Sequence, residues 1–175
     1  MKETTILPSV PYSGPSFTVR SDKIAVNGHE AQRDYIDRVG AAAIIPVLQD
    51  NGLIRLVEQY RYAIREHMLE IPAGKIDGDE QPLACAKREL FEETGGVSKD
   101  WEPLGVYYPS VGYSNEVVHL YLARRVELFR PNPDDGEYLN QHDVTLDTAM
   151  ELVAQGRIVD AKTIIALLKY REILR

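Results

Sequence analysis

The sequence predicts an α/β fold in which helices cover a mixed β-sheet on both sides. Residues 39–47 are almost continuously apolar, as expected for a strand that is buried on both faces. A central segment with helical charge spacing ends at Gly95, and two further helical segments, 145–155 and 161–174, follow near the end of the chain. Strands and helices in this order are typical of an α/β/α sandwich.

Residues 1–38 are predicted to form a separate N-terminal unit. Residues 1–16 have little periodicity and are expected to be an extended arm. Strands at 17–26 and 30–36 flank Asn27-Gly28, a strong signal for a two-residue hairpin turn. Because two or three short strands bury little apolar surface, we expect this antiparallel β unit to need a partner, either the main domain or a second subunit.

The main domain, 39–175, is predicted from the segments between its turns. The central helix is expected to begin at Asp79 or Glu80, with Pro82 tolerated in its first turn, and Asp160 is expected to cap the last helix. The remaining strands and extended runs are predicted at 53–58, 68–72, 101–106 and 117–123, with a loop at 109–115.

Composition limits the function classes. The chain of 175 residues is 44% hydrophobic, enough for one domain with a small extension, and its net charge of −7 disfavours nucleic acid and anionic membranes as partners. No apolar run is long enough for a membrane span, and no secretory signal is visible. The single cysteine, Cys85, suits a reducing compartment, so a cytoplasmic protein is expected.

Three carboxylates stand out in the central helix. Glu89, Glu92 and Glu93 have i, i+3, i+4 spacing, so they share one face, and they lie in the last turn before Gly95. Like charges repel there, and the negative end of the helix dipole adds a penalty of a few tenths of a kcal/mol or more. A bound cation explains acids in this position, and hard oxygen donors suit Mg²⁺ or Mn²⁺.

The same stretch resembles the Nudix box, glycine-x5-Glu-x7-Arg-Glu-aliphatic-x-Glu-Glu-x-Gly-aliphatic. The matching residues are Gly74, Glu80, Arg88, Glu89, Leu90, Glu92, Glu93 and Gly95. The last aliphatic position is Gly96, and we expect Val97 to make its packing contact instead. The chain therefore resembles the Nudix hydrolases, which implies a Nudix α/β/α sandwich.

The resemblance implies roles for the box residues. Glu89 and Glu93 match metal ligands, together with the backbone carbonyl of Ala73, and Glu92 matches a further ligand or a group beside it. Arg88 matches an arginine that orients a glutamate through a salt bridge. A solvated acidic helix face is the alternative for this cluster, and a helix-capping role is the alternative for Glu80.

Other segments resemble the ADP-ribose pyrophosphatase and nucleoside-diphosphate-sugar hydrolase branch. In residues 108–116, Glu116 matches a mobile glutamate that acts as catalytic base or extra metal ligand, although Val111 replaces a proline of that branch. The alternative is a solubilising acid at a strand edge. Among Tyr35, Tyr108 and Tyr113, Tyr113 is our candidate for stacking on a base, with a core or interface role as the alternative.

Residues 58–61 and 69–77 also resemble this branch. Arg61 would present a planar guanidinium to the diphosphate, and Glu70 would lie near the substrate. The alternative is a simple ion pair between an arginine and an acid such as Glu70. Cys85 is expected to be inert.

The resemblance implies a hydrolase, dependent on Mg²⁺ or Mn²⁺, that cleaves the diphosphate of ADP-ribose or a nucleotide sugar to a nucleoside monophosphate and a sugar phosphate. It also implies a homodimer formed through residues 1–38. A nucleoside triphosphate pyrophosphohydrolase is the enzymatic alternative, disfavoured by the N-terminal extension and the loop at Pro109. A catalytically inactive ligand sensor is the other, disfavoured because all the box glutamates are present.

Overall fold

A computed structural model describes residues 2–131 and 138–175 of the chain. Its contacts divide the chain into two compact units. The first unit contains Met1–Gly40 together with Tyr108–Val117, and the second contains Ala41–Tyr107 and Val118–Arg175.

The first unit is an antiparallel sheet of four strands: β1 Thr4–Leu7, β2 Tyr12–Ser13, β3 Thr18–Val26 and β4 His29–Asp37. Strands β3 and β4 form the predicted hairpin, and its turn residues Asn27 and Gly28 both have positive φ, 50° and 79°. Their left-handed conformation matches the twist of the paired strands. The arm expected at residues 1–16 instead contains β1 and β2, which both pair with β3.

The segment Tyr108–Val117 is fixed to strand β4 within this unit. The amide of Ile36 donates to the Tyr113 carbonyl at 2.8 Å. Asn115 accepts from the amide of Arg38 at 3.0 Å and donates to Asp37 at 2.6 Å. These bonds satisfy the backbone at the end of β4 and give the loop a defined conformation.

The second unit is built on a mixed sheet. Its central order is β10-β11-β5-β6-β12, in which β11 and β5 are parallel and the other neighbours are antiparallel. Strands β7, β8 and β9 pair with β6, β5 and β11 respectively. The strand bounds are β5 Ala41–Leu48, β6 Ile54–Arg61, β7 Glu66–Glu70, β8 Ala73–Lys75, β9 Gly96–Val97, β10 Asp100–Tyr107, β11 Val118–Leu128 and β12 Asn140–Val144.

Helices cover both faces of this sheet. They are α1 Pro82–Thr94, α2 Leu146–Ala154 and α3 Ala161–Ile173. Alternate residues of β5 enter two hydrophobic cores: Ala43 and Ile45 pack on the side of α2 and α3, whereas Ala42 and Ile44 pack on the side of α1. The predicted α/β/α sandwich and the two-faced burial of this strand are therefore confirmed. Across 2–131 and 138–175, no helix combines the length and apolarity of a membrane span.

Two further details of the sequence prediction are wrong. Helix α1 begins at Pro82, not at Asp79 or Glu80, because Gln81 is its N-cap and the preceding residues form a turn closed by the Glu80 amide and the Asp77 carbonyl at 2.8 Å. Proline suits this first helical position, where its missing N–H has no intrahelical partner to lose.

The second correction concerns the end of the box. Val97 is 43% exposed and does not replace the missing aliphatic contact. Gly96 is itself buried, and a Cβ there would lie only 2.9 Å from side-chain atoms of Leu90 and Val126. Backbone packing at Gly96 therefore closes this part of the core without a side chain.

Candidate active site

Helix α1 carries the three predicted acids in its last turns. The helix ends at Gly95, whose φ of 70° and hydrogen bond to the Phe91 carbonyl, 2.8 Å, form a left-handed cap. Glu89 and Glu93 are only 9% and 5% exposed. The expected crowding of acids at the wrong end of a helix is confirmed, and burial adds a desolvation cost to it.

Two of these acids converge on adjacent residues of strand β8. The Glu93 carboxylate accepts a hydrogen bond from the Ala73 amide at 3.3 Å. The Glu89 carboxylate packs directly on Gly74, where a Cβ would overlap its carboxyl atoms. Glycine at the start of the box is therefore required for close approach, and it forms the floor on which Glu89 rests.

Arg88 braces the same group of acids. Its Nη1 donates to Glu89 at 2.7 Å and to Glu92 at 2.9 Å, while Nε and Nη2 donate to Glu80 at 3.2 and 3.0 Å. Nη2 also donates to the Lys75 carbonyl at 2.9 Å. We call Glu80, Arg88, Glu89, Glu92 and Glu93 the α1 cluster.

Hydrogen bonding within the α1 cluster shifts the pKa of Arg88 and of Glu80. The hydrogen bond to Glu80 is the main cause that raises the pKa of Arg88, and the same bond lowers the pKa of Glu80. Glu80 is therefore a partner of Arg88 and not the helix cap considered from the sequence, because Gln81 occupies the N-cap position.

The donor set of the α1 cluster fits a divalent cation. Glu80, Glu89 and Glu92 pair with the single guanidinium of Arg88, and Glu93 is a fourth acid of the cluster, so the acids outnumber this cation. In the described ranges, no three His, Cys, Asp or Glu side chains form a metal cage by themselves. Glu93 accepts from the Ala73 amide and Glu89 packs on Gly74, so the carboxylates lie together against this strand, and carboxylate oxygens are hard ligands of the kind that Mg²⁺ and Mn²⁺ prefer.

A second ion cluster lies where strands β6 and β7 meet helix α3. Arg61 donates from Nε and Nη2 to the two oxygens of Glu70, each at 2.7 Å. Lys162 also pairs with Glu70, and it lies 3.1 Å from Asp160. We call Arg61, Glu70, Asp160 and Lys162 the α3 cluster. The ion pair that the sequence left open as the alternative for Arg61 and Glu70 is present.

Opposing effects act on the Glu70 carboxyl. Its burial raises the pKa, but hydrogen bonds and positive charge from Arg61 and Lys162 outweigh burial, so the pKa is lowered overall. The pKa of Arg61 is raised, chiefly by its hydrogen bonds to Glu70. Glu70 is thus ionised at neutral pH, although it is only 2% exposed.

Sequence reasoning missed Lys162, and a signal for it was present. The residue lies in the first turn of α3, where the helix dipole disfavours a cation. This is the mirror image of the acids in the last turn of α1. The rule that found the acids would also have found Lys162.

Gln141 was also missed, and no local pattern indicates it. Its Nε2 donates to the Glu93 carbonyl at 3.0 Å, and its Oε1 accepts from Arg55 at 2.9 Å. Gln141 lies on strand β12, whose pairing with β6 places it there. It satisfies one of the free carbonyls in the last turn of α1 and so helps to fix the backbone of Glu93.

The remaining predicted site residues belong to the first unit. Glu116 pairs with Arg38 at 3.4 Å, and its side chain is 15% exposed. Tyr113 is 58% exposed and its hydroxyl bonds to Ser110 at 3.0 Å, and Tyr108 is 57% exposed. The two tyrosines are thus surface residues of this chain, whereas Tyr35 is half-buried.

Cys85 is fully buried beneath the α1 cluster. Its Sγ donates to the Lys75 carbonyl at 3.2 Å. Burial, followed by the negative charge of Glu89, raises its pKa to about 12. A thiol so rarely ionised is a poor nucleophile, in agreement with the inert role expected from the sequence.

Comparison with known proteins agrees with this geometry. The NUDIX domain family matches residues 37–166. A methanol dehydrogenase activator from Bacillus methanolicus is 34% identical over 95% of this chain and 91% of its own length. An ADP-ribose pyrophosphatase from Bacillus subtilis is 33% identical over the same shares of the two chains. A solved structure described as an ADP compounds hydrolase superposes with a TM-score of 0.87 at 25% identity, covering 99% of this chain and 95% of that one.

Proposed function

Because the chain belongs to the NUDIX domain family, we propose that it is a pyrophosphatase that cleaves the diphosphate linkage of ADP-ribose or of a nucleoside diphosphate sugar. The products are a nucleoside monophosphate and a sugar phosphate. The observation that carries this proposal is the convergence of Glu89 and Glu93 on the Ala73–Gly74 step, braced by Arg88. That convergence supports a site for hard cations, which diphosphate cleavage requires to offset charge on the transferred phosphoryl group.

We assign metal binding to the Ala73 carbonyl and to Glu89, Glu92 and Glu93. A divalent cation held by these residues, Mg²⁺ or Mn²⁺, would supply positive charge to the phosphate and to the attacking water. Arg88 holds Glu89 and Glu92 in place through one shared nitrogen, so their carboxylates are positioned before any cation arrives. We count Arg88 and Glu92 among the catalytic groups on this basis, and Glu93 because its carboxylate lies against the Ala73 amide.

Substrate binding is assigned to Arg61, Glu70 and Tyr113. The Arg61 guanidinium binds the diphosphate, Glu70 fixes the plane of that guanidinium, and the exposed ring of Tyr113 stacks on the base. Glu116 takes the proton from the attacking water. The water oxygen bonds to one phosphorus while that phosphorus loses its bond to the bridging oxygen, which leaves with the other phosphate.

We further propose a cytoplasmic homodimer assembled through residues 1–38, with no nucleic-acid or membrane partner. Apolar side chains on the first strands support an interface there, since Ile6, Leu7, Val10 and Tyr12 are each at least 50% exposed. The net charge of −7 argues against phosphate-rich polymers, and the lone cysteine suits reducing conditions.

The test is a substrate panel in Mg²⁺ or Mn²⁺ that contains ADP-ribose, nucleotide sugars and nucleoside triphosphates. A coupled phosphatase releases phosphate from the monoester products but not from an intact diphosphate linkage, and pyrophosphate from triphosphates is measured separately. We expect turnover led by ADP-ribose or a nucleotide sugar, and none when the metal is chelated. Turnover led by triphosphates, or silence across the panel, would contradict the proposal.

A further inference from the structure

We propose that Lys162 is a positioning residue that keeps the free edge of Arg61 available to the anionic substrate. The inference rests on the proposed function, because it concerns how Arg61 meets a diphosphate. Lys162 is outside the box and has no counterpart among the residues that the box motif defines.

Arg61 uses only one edge of its guanidinium for its ion pair. Its Nε and Nη2 are both used by Glu70, whereas Nη1 forms no hydrogen bond with any residue in 2–131 or 138–175. The Arg61 side chain is 43% exposed although its partner Glu70 is 3% exposed. The Nε and Nη2 edge of the guanidinium is therefore bound to Glu70, whereas the N–H groups of Nη1 are available as donors to a ligand.

Lys162 forms ion pairs with the acids around Arg61. Lys162 is a second cation paired with Glu70, its own side chain is only 13% exposed, and Asp160 at 3.1 Å offsets its charge. The Glu70 carboxylate is therefore held from two sides, by Arg61 and by Lys162, which fixes the guanidinium that it binds.

Asp160 is engaged in capping helix α3. Its carboxylate caps helix α3 by accepting from the Thr163 amide at 3.0 Å and the Thr163 hydroxyl at 2.6 Å. Thr163 in turn accepts from the Ile71 amide at 2.9 Å, directly after Glu70. The cap thus ties the start of α3 to the end of β7 and holds Lys162 beside Glu70 at fixed distance.

Lys162 carries a free-energy cost at this position. A cation in the first turn of a helix is disfavoured by the dipole, and a mostly buried amine loses hydration. On these two grounds an apolar residue would suit the position better. A cation at this position is explained if the fixed place that it gives Glu70 and Arg61 serves binding.

A double-mutant cycle tests the proposal with the best substrate of the panel. We expect Lys162→Met to raise KM on the order of tenfold while kcat changes much less, because a ground-state contact through Arg61 is weakened. Arg61→Met should raise KM at least as much. In the Arg61→Met background, Lys162→Met should have no further effect, since Lys162 acts through Arg61. Lys162→Arg should restore part of the loss.

A readout without turnover separates binding from catalysis. Calorimetric Kd for ADP-ribose with Mg²⁺ is measured in a Glu93→Gln background, with and without Lys162→Met, and should weaken by a similar factor. Lys169→Met is the matched control, because Lys169 is an exposed lysine of the same helix, and it should leave KM and Kd unchanged. Thermal unfolding of each variant reports the folded fraction.

The outcomes distinguish the two proposals. An active wild-type chain with unchanged KM in Lys162→Met overturns the inference and leaves the proposed function standing. Effects of Lys162→Met and Arg61→Met that multiply independently also overturn it, as does a loss confined to Tm and kcat. A wild-type chain that neither hydrolyses nor binds any panel substrate overturns the proposed function and the inference together.

Discussion

The α1 cluster and the α3 cluster are both built from buried acids and arginine, but their charges are organised differently. Glu80, Glu89 and Glu92 pair with a single Arg88, whereas Glu70 and Asp160 pair with Arg61 and Lys162 in equal number. A cluster with surplus acid attracts a cation from solution. In a balanced cluster the acids and the cations neutralise one another, so no further ion is needed. Such a cluster can hold one edge of a guanidinium toward an anion. The acid-rich α1 cluster therefore suits a metal ion, and the balanced α3 cluster suits the phosphate groups of a diphosphate.

The largest expected effect comes from removing one charge of the α1 cluster. Glu93→Gln keeps the hydrogen bond to the Ala73 amide possible but removes a buried charge from the proposed metal site. We expect kcat to fall by roughly two to three orders of magnitude, the size typical of a positioned charged or polar group in an active site. Steady-state kinetics with the panel substrate measure it.

Glu151→Gln is the matched control for that substitution, because Glu151 is an exposed acid on helix α2. It should leave kcat unchanged. If Glu93→Gln turns over normally while its Tm matches the wild type, the metal assignment for the α1 cluster is wrong.

A smaller effect is expected from filling the floor of the α1 cluster. Gly74→Ala places a Cβ where the Glu89 carboxylate lies, so Glu89 must move. We expect kcat to fall about tenfold to a hundredfold, and overpacking to cost about 1–3 kcal/mol of unfolding free energy. Kinetics and urea denaturation measure the two effects.

Gly112→Ala provides the stability control for this substitution, since a Cβ at Gly112 meets nothing within 4 Å. Its unfolding free energy should match that of the wild type. A fully active Gly74→Ala variant would show that Glu89 does not need its place on Gly74.

The α3 cluster should instead respond through stability and pH. Glu70→Gln leaves Arg61 and Lys162 without their shared acid, and we expect a loss of about 3 kcal/mol at pH 7. Because the pKa of Glu70 is lowered by folding, its contribution is fully present above its ordinary pKa of 4.5 and is lost as pH falls through the lower folded value. The difference between variant and wild type should therefore shrink below about pH 4.5 in urea denaturation.

Glu66→Gln, at an exposed position of the same strand β7, controls for the loss of an acid as such. Its unfolding free energy should differ little from that of the wild type at pH 7 and at pH 3. A Glu70→Gln difference that stays constant from pH 7 to pH 3 would contradict an ionised Glu70 in the folded state.

The smallest effect concerns Cys85 beside the α1 cluster. With its pKa raised to about 12 by burial and by Glu89, roughly one thiol in ten thousand is ionised at pH 8. We expect a thiol reagent to leave the native chain unmodified and to label it fully in urea. Rapid labelling of the native chain would show that the helix opens or that the surrounding acid charge is weaker than the geometry indicates.

The two clusters also differ in how far the sequence predicted them. Glu89, Glu93 and Gly95 were predicted together because helical spacing and a glycine stop are local patterns. Lys162 obeys the same rule about charge at a helix end and was overlooked. Gln141 could not be predicted, because its bond to the Glu93 carbonyl depends on the pairing of β12 with β6, which joins residues far apart in the chain.

The fold class and the helix that carries the acids could be predicted from periodicity and turn chemistry, which act over a few residues. The glycine at the start of the box and the family were indicated by the resemblance to the Nudix box. The partners are visible only in the folded chain: Arg61 is bound to Glu70, Glu80 pairs with Arg88, and Gly96 and not Val97 lies in the core. The reason is physical, because burial and ion pairing between distant segments depend on strand register and packing, which no local pattern specifies.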